Sequence, residues 1–157
     1  MVASVTFKSN SKEVITGIKN YQKKLTRNIT KGLKQAGFQL LDIIRTKTKR
    51  GVDYNDKSFY PYSKGYLDHL AKKGYPTKVD LFYSGRMLGS LNPNTSIKHI
   101  GKHTVSIGFT NSEMRKRAVF VQVLAKNKRE FFGFNNQTER VIGNSFNKFI
   151  IKQMKRV

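Results

Sequence analysis

The feature that most constrains this chain is a helical repeat of apolar and small residues in its first third. Successive members of the repeat are three or four residues apart, the spacing of one face of an α-helix. They are Val14, Ile18, Tyr21, Leu25, Ile29, Leu33, Ala36, Leu40 and Ile44. Ser9, Asn10 and Ser11 precede the repeat as candidate N-caps, and Gly51 follows it. The sequence therefore predicts one long helix over residues 11–50.

A helix of that length exceeds what the rest of the chain can cover. At about 1.5 Å per residue it extends for more than about 50 Å, whereas the chain has only 157 residues, enough for one domain. Phe38 and Leu41 widen the apolar stripe toward the C-terminal half, so we expect that half to be the more buried. Unless Gly32 or Gly37 kinks the helix, another part of it should project or pack on another chain.

The remainder of the sequence completes a single domain over 1–157. We predict a short strand within 1–10, an ordered aromatic loop at 51–78, a β-rich part at 79–134 and a C-terminal helix at 135–157. The predicted fold class is α+β, in which the long N-terminal helix and the C-terminal helix pack on a small antiparallel β-sheet.

Four predictions lie within the β-rich part. Alternating residues at 95–100 and 103–109, separated by Gly101-Lys102, indicate a β-hairpin. VDLFYS at 79–84 is a candidate strand, and SGRMLGSL after it a candidate short helix begun by Ser84. Asn111 can cap a helix over 113–126, although the β-branched run AVFVQVL leaves a strand open as the alternative.

The charge is extreme. Thirty-one Lys and Arg residues face nine Asp and Glu, which gives a net charge of +22. Such a surface repels its own copies and attracts nucleic acid, an anionic membrane or an acidic protein. The cations are spread through the whole chain, which is a weaker sign of a DNA-reading surface than one concentrated stripe would be. There is no cysteine, so disulfide scaffolds and thiolate metal sites are excluded.

No stretch of the sequence resembles a membrane span or a secretory signal. The longest apolar runs fall well short of the ~18 residues that a membrane helix requires. The N-terminal residues MVASVTFKSN contain no apolar signal core. We therefore expect a protein of cytosolic origin that does not cross a membrane by itself and has no membrane partner.

The titratable residues do not form a recognisable reactive centre. His99 and His103 are four residues apart but lack a third ligand nearby, so surface histidines are the better interpretation. Asp53, Asp56 and Asp80 could form a Mg²⁺ nuclease cluster, but their spacing does not support one. Neither a phosphate-binding Gly-rich loop nor a G-x-S-x-G elbow occurs. We predict no catalytic, cofactor-binding or metal-binding residue and no cofactor, and hence a protein that is not an enzyme.

The middle of the chain, 58-SFYPYSKGYLDHLAKKGYPTKVDLFYSGRMLGSL-91, is rich in aromatic residues without regular periodicity. Pro61 restricts its own backbone and pushes Tyr60 toward extended conformations. Flanking aromatic rings can then lie against a sheet or a helix, while Met87, Leu88 and Leu91 dock in the core. The sequence therefore predicts an ordered irregular arm that packs on its own domain or on a neighbouring subunit.

This stretch, and the order of the elements around it, resembles the phage tail-completion or virion-morphogenesis proteins, the small head–tail joining subunits of long-tailed bacteriophages. The matching positions are Gly51, Asp53, Phe59, Pro61, Tyr62, Ser63, Tyr66, Asp80, Leu81, Ser84, Gly85, Met87, Leu88, Ser90, Leu91, Phe131, Phe132, Gly133 and Phe134. The ordered set covers nearly the whole chain, although no single motif is specific. The chain departs from the pattern at Asn55-Asp56-Lys57, at Phe82-Tyr83 and at Arg129-Glu130, which lacks a proline.

The resemblance implies a structural virion protein that forms a ring at the head–tail junction, or neck, joins the capsid connector to the tail and lets DNA pass. The implied partners are other copies of the chain, neighbouring neck or connector proteins, tail-terminator or tail-tube proteins, and the passing DNA. The expected interface residues are Phe59, Pro61, Tyr62, Ser63, Tyr66, Leu81, Gly85, Arg86, Met87, Leu88, Phe131, Phe132 and Phe134. A basic nucleic-acid-binding protein without enzymatic activity is the alternative.

Overall fold

The computed structural model describes residues 10–81, 85–99 and 103–155. Its dominant element is α1, Ser11–Arg50, which continues through Gly32 and Gly37 without interruption. The helix ends at Gly51, whose φ of 82° is left-handed and whose amide donates to the Thr48 carbonyl at 3.0 Å. Glycine adopts this conformation without steric cost and therefore commonly terminates helices. The predicted long helix over 11–50 is confirmed.

The remaining elements are short apart from the last helix. They are α2 (Lys64–Lys72), α3 (Arg86–Gly89), α4 (Pro93–Ser96), β1 (Ile97–His99), β2 (Val105–Ile107), α5 (Ser112–Val119), a π-helical turn (Phe120–Leu124) and α6 (Asn136–Met154). The strands β1 and β2 pair antiparallel with Ile97 opposite Ile107. The fold is therefore α+β, with a long N-terminal helix, a C-terminal helix and a small antiparallel sheet, as predicted.

Side-chain caps set the beginnings of the two later helices. The side chain of Asn111 accepts a hydrogen bond from the Met114 amide at 3.0 Å, and that of Asn135 accepts one from the Thr138 amide at 2.9 Å. Each cap satisfies a backbone donor that the first helical turn leaves without a partner. The helix predicted over 113–126 is confirmed against the strand alternative for AVFVQVL, because α5 passes directly into the π-helical turn that ends at Leu124.

The description of 79–134 as β-rich is corrected. Its described residues contain α3, α4, α5 and the π-helical turn, and the two strands have three residues each. Residues 79–81 are not a strand, and the rest of that predicted strand, with Ser84, lies outside the described residues. The aromatic loop at 51–78 is ordered but includes α2. The strand predicted within 1–10 falls on residues that the structure does not describe.

The core lies against the C-terminal half of α1. Its buried hydrophobic residues are Leu41, Ile44, Phe59, Leu88, Leu91, Phe109, Met114, Ala118 and Phe131. The helix α6 lies along α1, where the Gln39 amide donates to the Ser145 hydroxyl at 3.2 Å. The hairpin packs on α1 at Gly37, where an added Cβ would lie 3.1 Å from Ile97. One half of α1 therefore organises nearly everything else in the fold.

The other end of α1 has no cover among the described residues. Every residue from Ser11 to Lys24 is exposed, including the apolar stripe. Val14, Ile18 and Tyr21 are 49%, 54% and 45% exposed, whereas Leu41 and Ile44 on the same helix are 1% and 2% exposed. The expectations that the C-terminal half is the more buried and that part of the helix projects are both confirmed for these residues.

Two glycines of α1 provide a matched stability test. An added Cβ at Gly32 would lie 2.8 Å from the Phe146 ring on α6, whereas nothing lies within 4 Å of one at Gly17. Gly17→Ala should raise the free energy of unfolding by about 0.5–1 kcal/mol, because alanine is the better helix former. Gly32→Ala gains the same propensity, but overpacking of ~1–3 kcal/mol outweighs it. Urea denaturation measures both, and equal gains would contradict the described packing of α6 on α1.

Candidate interaction surface

An open groove of about 930 Å³ lies between the aromatic loop and the α5 helix with its π-helical turn. We refer to it as the aromatic groove. One side is formed by residues at 61–66 together with Leu81, Gly85 and Met87, and the other by residues at 116–129. Its lining is Pro61, Tyr62, Ser63, Tyr66, Leu81, Gly85, Met87, Lys116, Arg117, Phe120, Val121, Leu124, Ala125, Lys126, Asn127 and Arg129. Apolar side chains dominate its interior, and cations lie along one side.

Many of the predicted interface residues lie together in this groove. Although they are separated by up to 26 positions in the sequence, the fold brings them to one surface. The predicted residues found there are Pro61, Tyr62, Ser63, Tyr66, Leu81, Gly85 and Met87. The sequence motif therefore corresponds to one continuous surface feature of the molecule.

Three other predicted interface residues are core residues, which corrects their assignment. Phe59, Leu88 and Phe131 are 7%, 1% and 1% exposed, so their side chains are enclosed by the chain itself. In a helix or strand, the regular repeat of the backbone shows which apolar side chains point into the core. An irregular segment has no such repeat, so the sequence does not show which of its aromatic residues are buried. Arg86 is exposed on α3 but does not line the groove.

The last two predicted residues lie elsewhere. Phe132 and Phe134 line a separate apolar cavity of about 550 Å³ beneath the hairpin, together with Gly37 and Val105. Phe132 packs against the core, with its ring centroid 5.7 Å from that of Phe109. Phe134 is 54% exposed and is the only one of the closing aromatic residues with most of its surface available. The closing aromatic segment therefore serves the core more than the groove.

Sequence reasoning missed the wall formed by the π-helical turn. Gln122 faces inward, where its side-chain amide donates to the Phe132 carbonyl at 2.9 Å and its carbonyl accepts from the Phe132 amide at 3.0 Å. Residues two positions apart lie on nearly opposite sides of a helix. Phe120 and Leu124 therefore face outward and are 57% and 68% exposed. The sequence did contain a sign of this wall, because Phe120 and Leu124 do not lie on the helix face that Met114 and Ala118 define.

Arg129 holds the aromatic loop in place. Its guanidinium donates to the carbonyls of Tyr60 at 3.1 Å and Pro61 at 3.3 Å, and lies 4.8 Å from the ring centroid of Tyr62. Such a planar cation both donates several hydrogen bonds and stacks on an aromatic face. Tyr62 in turn contacts Tyr66 edge-on, at 4.9 Å between ring centroids. The groove is therefore shaped before any partner arrives.

Partial burial affects the titration of Tyr62. Loss of solvent around the phenol, together with the neighbouring Tyr66, raises the pKa of Tyr62 above its ordinary value of 10.0. A phenol is protonated at physiological pH even at that ordinary value, and Tyr62 acts in the groove as an amphipathic ring.

The backbone at the groove edge is constrained as well. Leu81 has φ 54° and Gly85 has φ 66°, both in the left-handed region. For a leucine this conformation costs roughly 1–2 kcal/mol, so the surrounding structure must maintain it. The Leu81 side chain packs against the core, which supplies such support. Strained residues of this kind are concentrated at binding sites in proteins.

The cations that line the groove differ in whether they already contact a group of the same chain. Arg117 pairs with Glu113 at 2.7 Å, one helical turn away on α5. Arg129 is used by the loop contacts. Lys116 and Lys126 are exposed, and none of the described residues forms a salt bridge with either. These two ammonium groups are the ones that remain available to an anionic partner.

The loop after α1 is built around two aspartates. Asp53 accepts hydrogen bonds from the amides of Asn55 and Lys57, both at 2.8 Å. Asp56 accepts from the Lys47 ammonium at 2.7 Å and from the Asn135 side chain at 3.3 Å. These carboxylates fix a turn and join it to both α1 and the beginning of α6. Within the described residues, no three His, Cys, Asp or Glu side chains are placed to hold a metal ion.

No protein-family model, curated protein or solved structure matches this chain. In the described part of the chain, no helix combines the length and the apolar character that crossing a membrane requires.

The Asp56 contacts predict a pH-dependent stability. The hydrogen bond from Lys47 holds the pKa of Asp56 below its ordinary value of 3.8. A lowered pKa contributes stability that is present above the unfolded pKa and is lost as pH falls through the folded one. The difference in Tm between wild type and Asp56→Asn should therefore be constant from pH 7 to about 5 and shrink below about pH 4.

Thermal unfolding followed by circular dichroism measures this difference, because other titrating groups are shared by both proteins. Asp42→Asn, which removes an exposed carboxylate from α1, is the control. A wild-type advantage over Asp56→Asn that persists unchanged at pH 3 would contradict the role given to the Lys47 hydrogen bond.

Proposed function

We propose that this chain is a structural virion protein of a tailed bacteriophage. Copies form a ring at the head–tail junction, join the connector to the tail and leave a passage for DNA. The observation that carries the proposal is that motif residues shared with the tail-completion proteins, including Pro61, Tyr62, Tyr66 and Met87, lie together in one preformed apolar groove. A concave, mostly apolar surface with a few polar groups at its edge is typical of a binding site.

The projecting end of α1 supports the same proposal. A helix stripe with Val14, Ile18 and Tyr21 half exposed has no cover within the described residues. Proteins retain such surfaces where another molecule covers them in the assembled state. The ring therefore provides a reason for a 40-residue helix in a chain whose core uses only one half of it.

The charge determines how such a ring assembles. Copies that each carry +22 repel one another. Neighbouring copies therefore come together on a partner that supplies negative charge, either an acidic face of the adjoining connector or tail ring or the DNA in the passage. The chain is made in the host cytoplasm and functions in the virion.

A stop codon in the gene for this chain, in the phage genome that encodes it, tests the proposal. We expect DNA-filled heads and complete but separate tails, because each half assembles without the joining ring. Electron microscopy of the lysate distinguishes these products. Expression of the wild-type chain from a plasmid should restore joined particles, whereas the empty plasmid should not. Particles that lack the chain but carry firmly attached tails would contradict the proposal.

Nucleic-acid binding remains the second candidate, favoured by the net charge alone. Its prediction differs: affinity for duplex DNA should fall steeply with salt, with a slope near −0.9 for each phosphate contacted. The stop codon would then impair genome handling and leave head–tail joining intact. A ring protein that merely surrounds DNA should bind free duplexes weakly and without regard to sequence.

A further inference from the structure

We propose that the aromatic groove binds an acidic amphipathic segment of a second protein, with the apolar side of that segment in the groove and its carboxylates beside Lys116 and Lys126. This inference rests on the proposed function, which it deepens by naming the chemistry of the partner. It is carried by the combination of an apolar interior with unpaired cations along one side.

The π-helical turn supplies the exposed apolar side chains of the groove. Because Gln122 is fixed inward by two hydrogen bonds, Phe120 and Leu124 face outward at the groove, where they are 57% and 68% exposed. Their exposure leaves in water apolar surface that a partner could bury. A partner with apolar side chains at helical or alternating spacing would cover both side chains.

The cations at the groove favour one kind of partner over the others. Lys116 and Lys126 lie at the groove with no ion-pair partner among the described residues. A second copy of this chain is a poor match, since it offers nine acidic residues against thirty-one basic ones. Duplex nucleic acid would use the cations but leave Phe120 and Leu124 uncovered, because its bases are stacked inside the helix. An acidic segment with an apolar face satisfies both features of the groove.

The preformed shape of the groove favours binding of a flexible segment. Arg129 already ties the loop at Tyr60 and Pro61, so the receptor side loses little conformational freedom on binding. Charge then accelerates the encounter, and apolar contacts determine how long the segment remains bound. The central contacts are expected at Phe120, Leu124 and Tyr66, because aromatic and large apolar anchors dominate most interfaces.

A fluorescein-labelled synthetic peptide serves as the probe. It has about 18 residues, five helical turns, with Leu and Phe on one face and Glu on the rest. One control peptide has the same composition with the apolar residues dispersed around the helix, and another replaces every Glu by Gln. Fluorescence anisotropy with the full chain should show binding of the probe, and both controls should bind at least about tenfold more weakly.

Variants of the chain locate the binding. Phe120→Ser with Leu124→Ser should weaken probe binding by about tenfold or more, and these exposed positions can be changed without opening the core. Val141→Ser, at an apolar position of α6 that is 49% exposed and outside the groove, is the matched control and should leave the affinity unchanged. Circular dichroism establishes that every variant is folded.

Charge reversal separates the proposal from general attraction to a basic protein. Lys116→Glu with Lys126→Glu should weaken probe binding at low salt, and this loss should shrink as salt screens the charges. Lys152→Glu, an exposed cation on α6, removes the same kind of charge outside the groove and should have a far smaller effect. Equal losses from reversals inside and outside the groove would overturn the proposal.

Any of three other results would overturn the proposal. In the first, the probe and the dispersed peptide bind equally well. In the second, the Val141→Ser control loses probe binding, and in the third, the chain itself self-associates through a contact that Leu124→Ser abolishes. Because the peptide assay requires no phage particle, its failure is distinguishable from failure of the head–tail proposal. Joined particles that depend on the chain, together with no probe binding, would reject only the groove partner.

Discussion

The length of α1 relative to the rest of the chain governs this structure. The helix spans Ser11–Arg50, but its buried residues begin only at Asn28, and the hydrophobic core packs on its C-terminal half. The chain therefore folds around one end of a rod and leaves the opposite end exposed. Beyond its first turn the exposed end satisfies its backbone groups within the helix, and it carries the charges of Lys12, Lys19, Lys23 and Lys24.

The aromatic groove arises from a second constraint, the need to satisfy buried polar groups. Gln122 bonds both backbone groups of Phe132, and these two hydrogen bonds orient the turn so that Phe120 and Leu124 face outward. The outward apolar side chains are thus a consequence of internal satisfaction, and together with the neighbouring cations they form a surface suited to an acidic partner.

The features that the sequence predicted well are those with local causes. The helix bounds at 11–50 follow from periodicity and from a glycine that can adopt left-handed φ, and the cap at Asn111 follows from its own side chain. The features it missed depend on non-local packing. Aromatic residues in the irregular arm look alike in sequence, yet Phe59 is buried in the core while Tyr62 lines the groove. The wall bearing Leu124 depends on a contact between Gln122 and a residue ten positions away.

The central claim is that the exposed apolar surfaces of this chain are covered in an assembled neck. Cryo-electron microscopy of the head–tail junction in purified particles tests it most directly. The account predicts a closed ring of this chain at the junction, with density from a different polypeptide seated over Phe120 and Leu124 and its carboxylates next to Lys116 and Lys126. A junction that does not contain the chain, or a ring in which the aromatic groove opens into solvent, would contradict it.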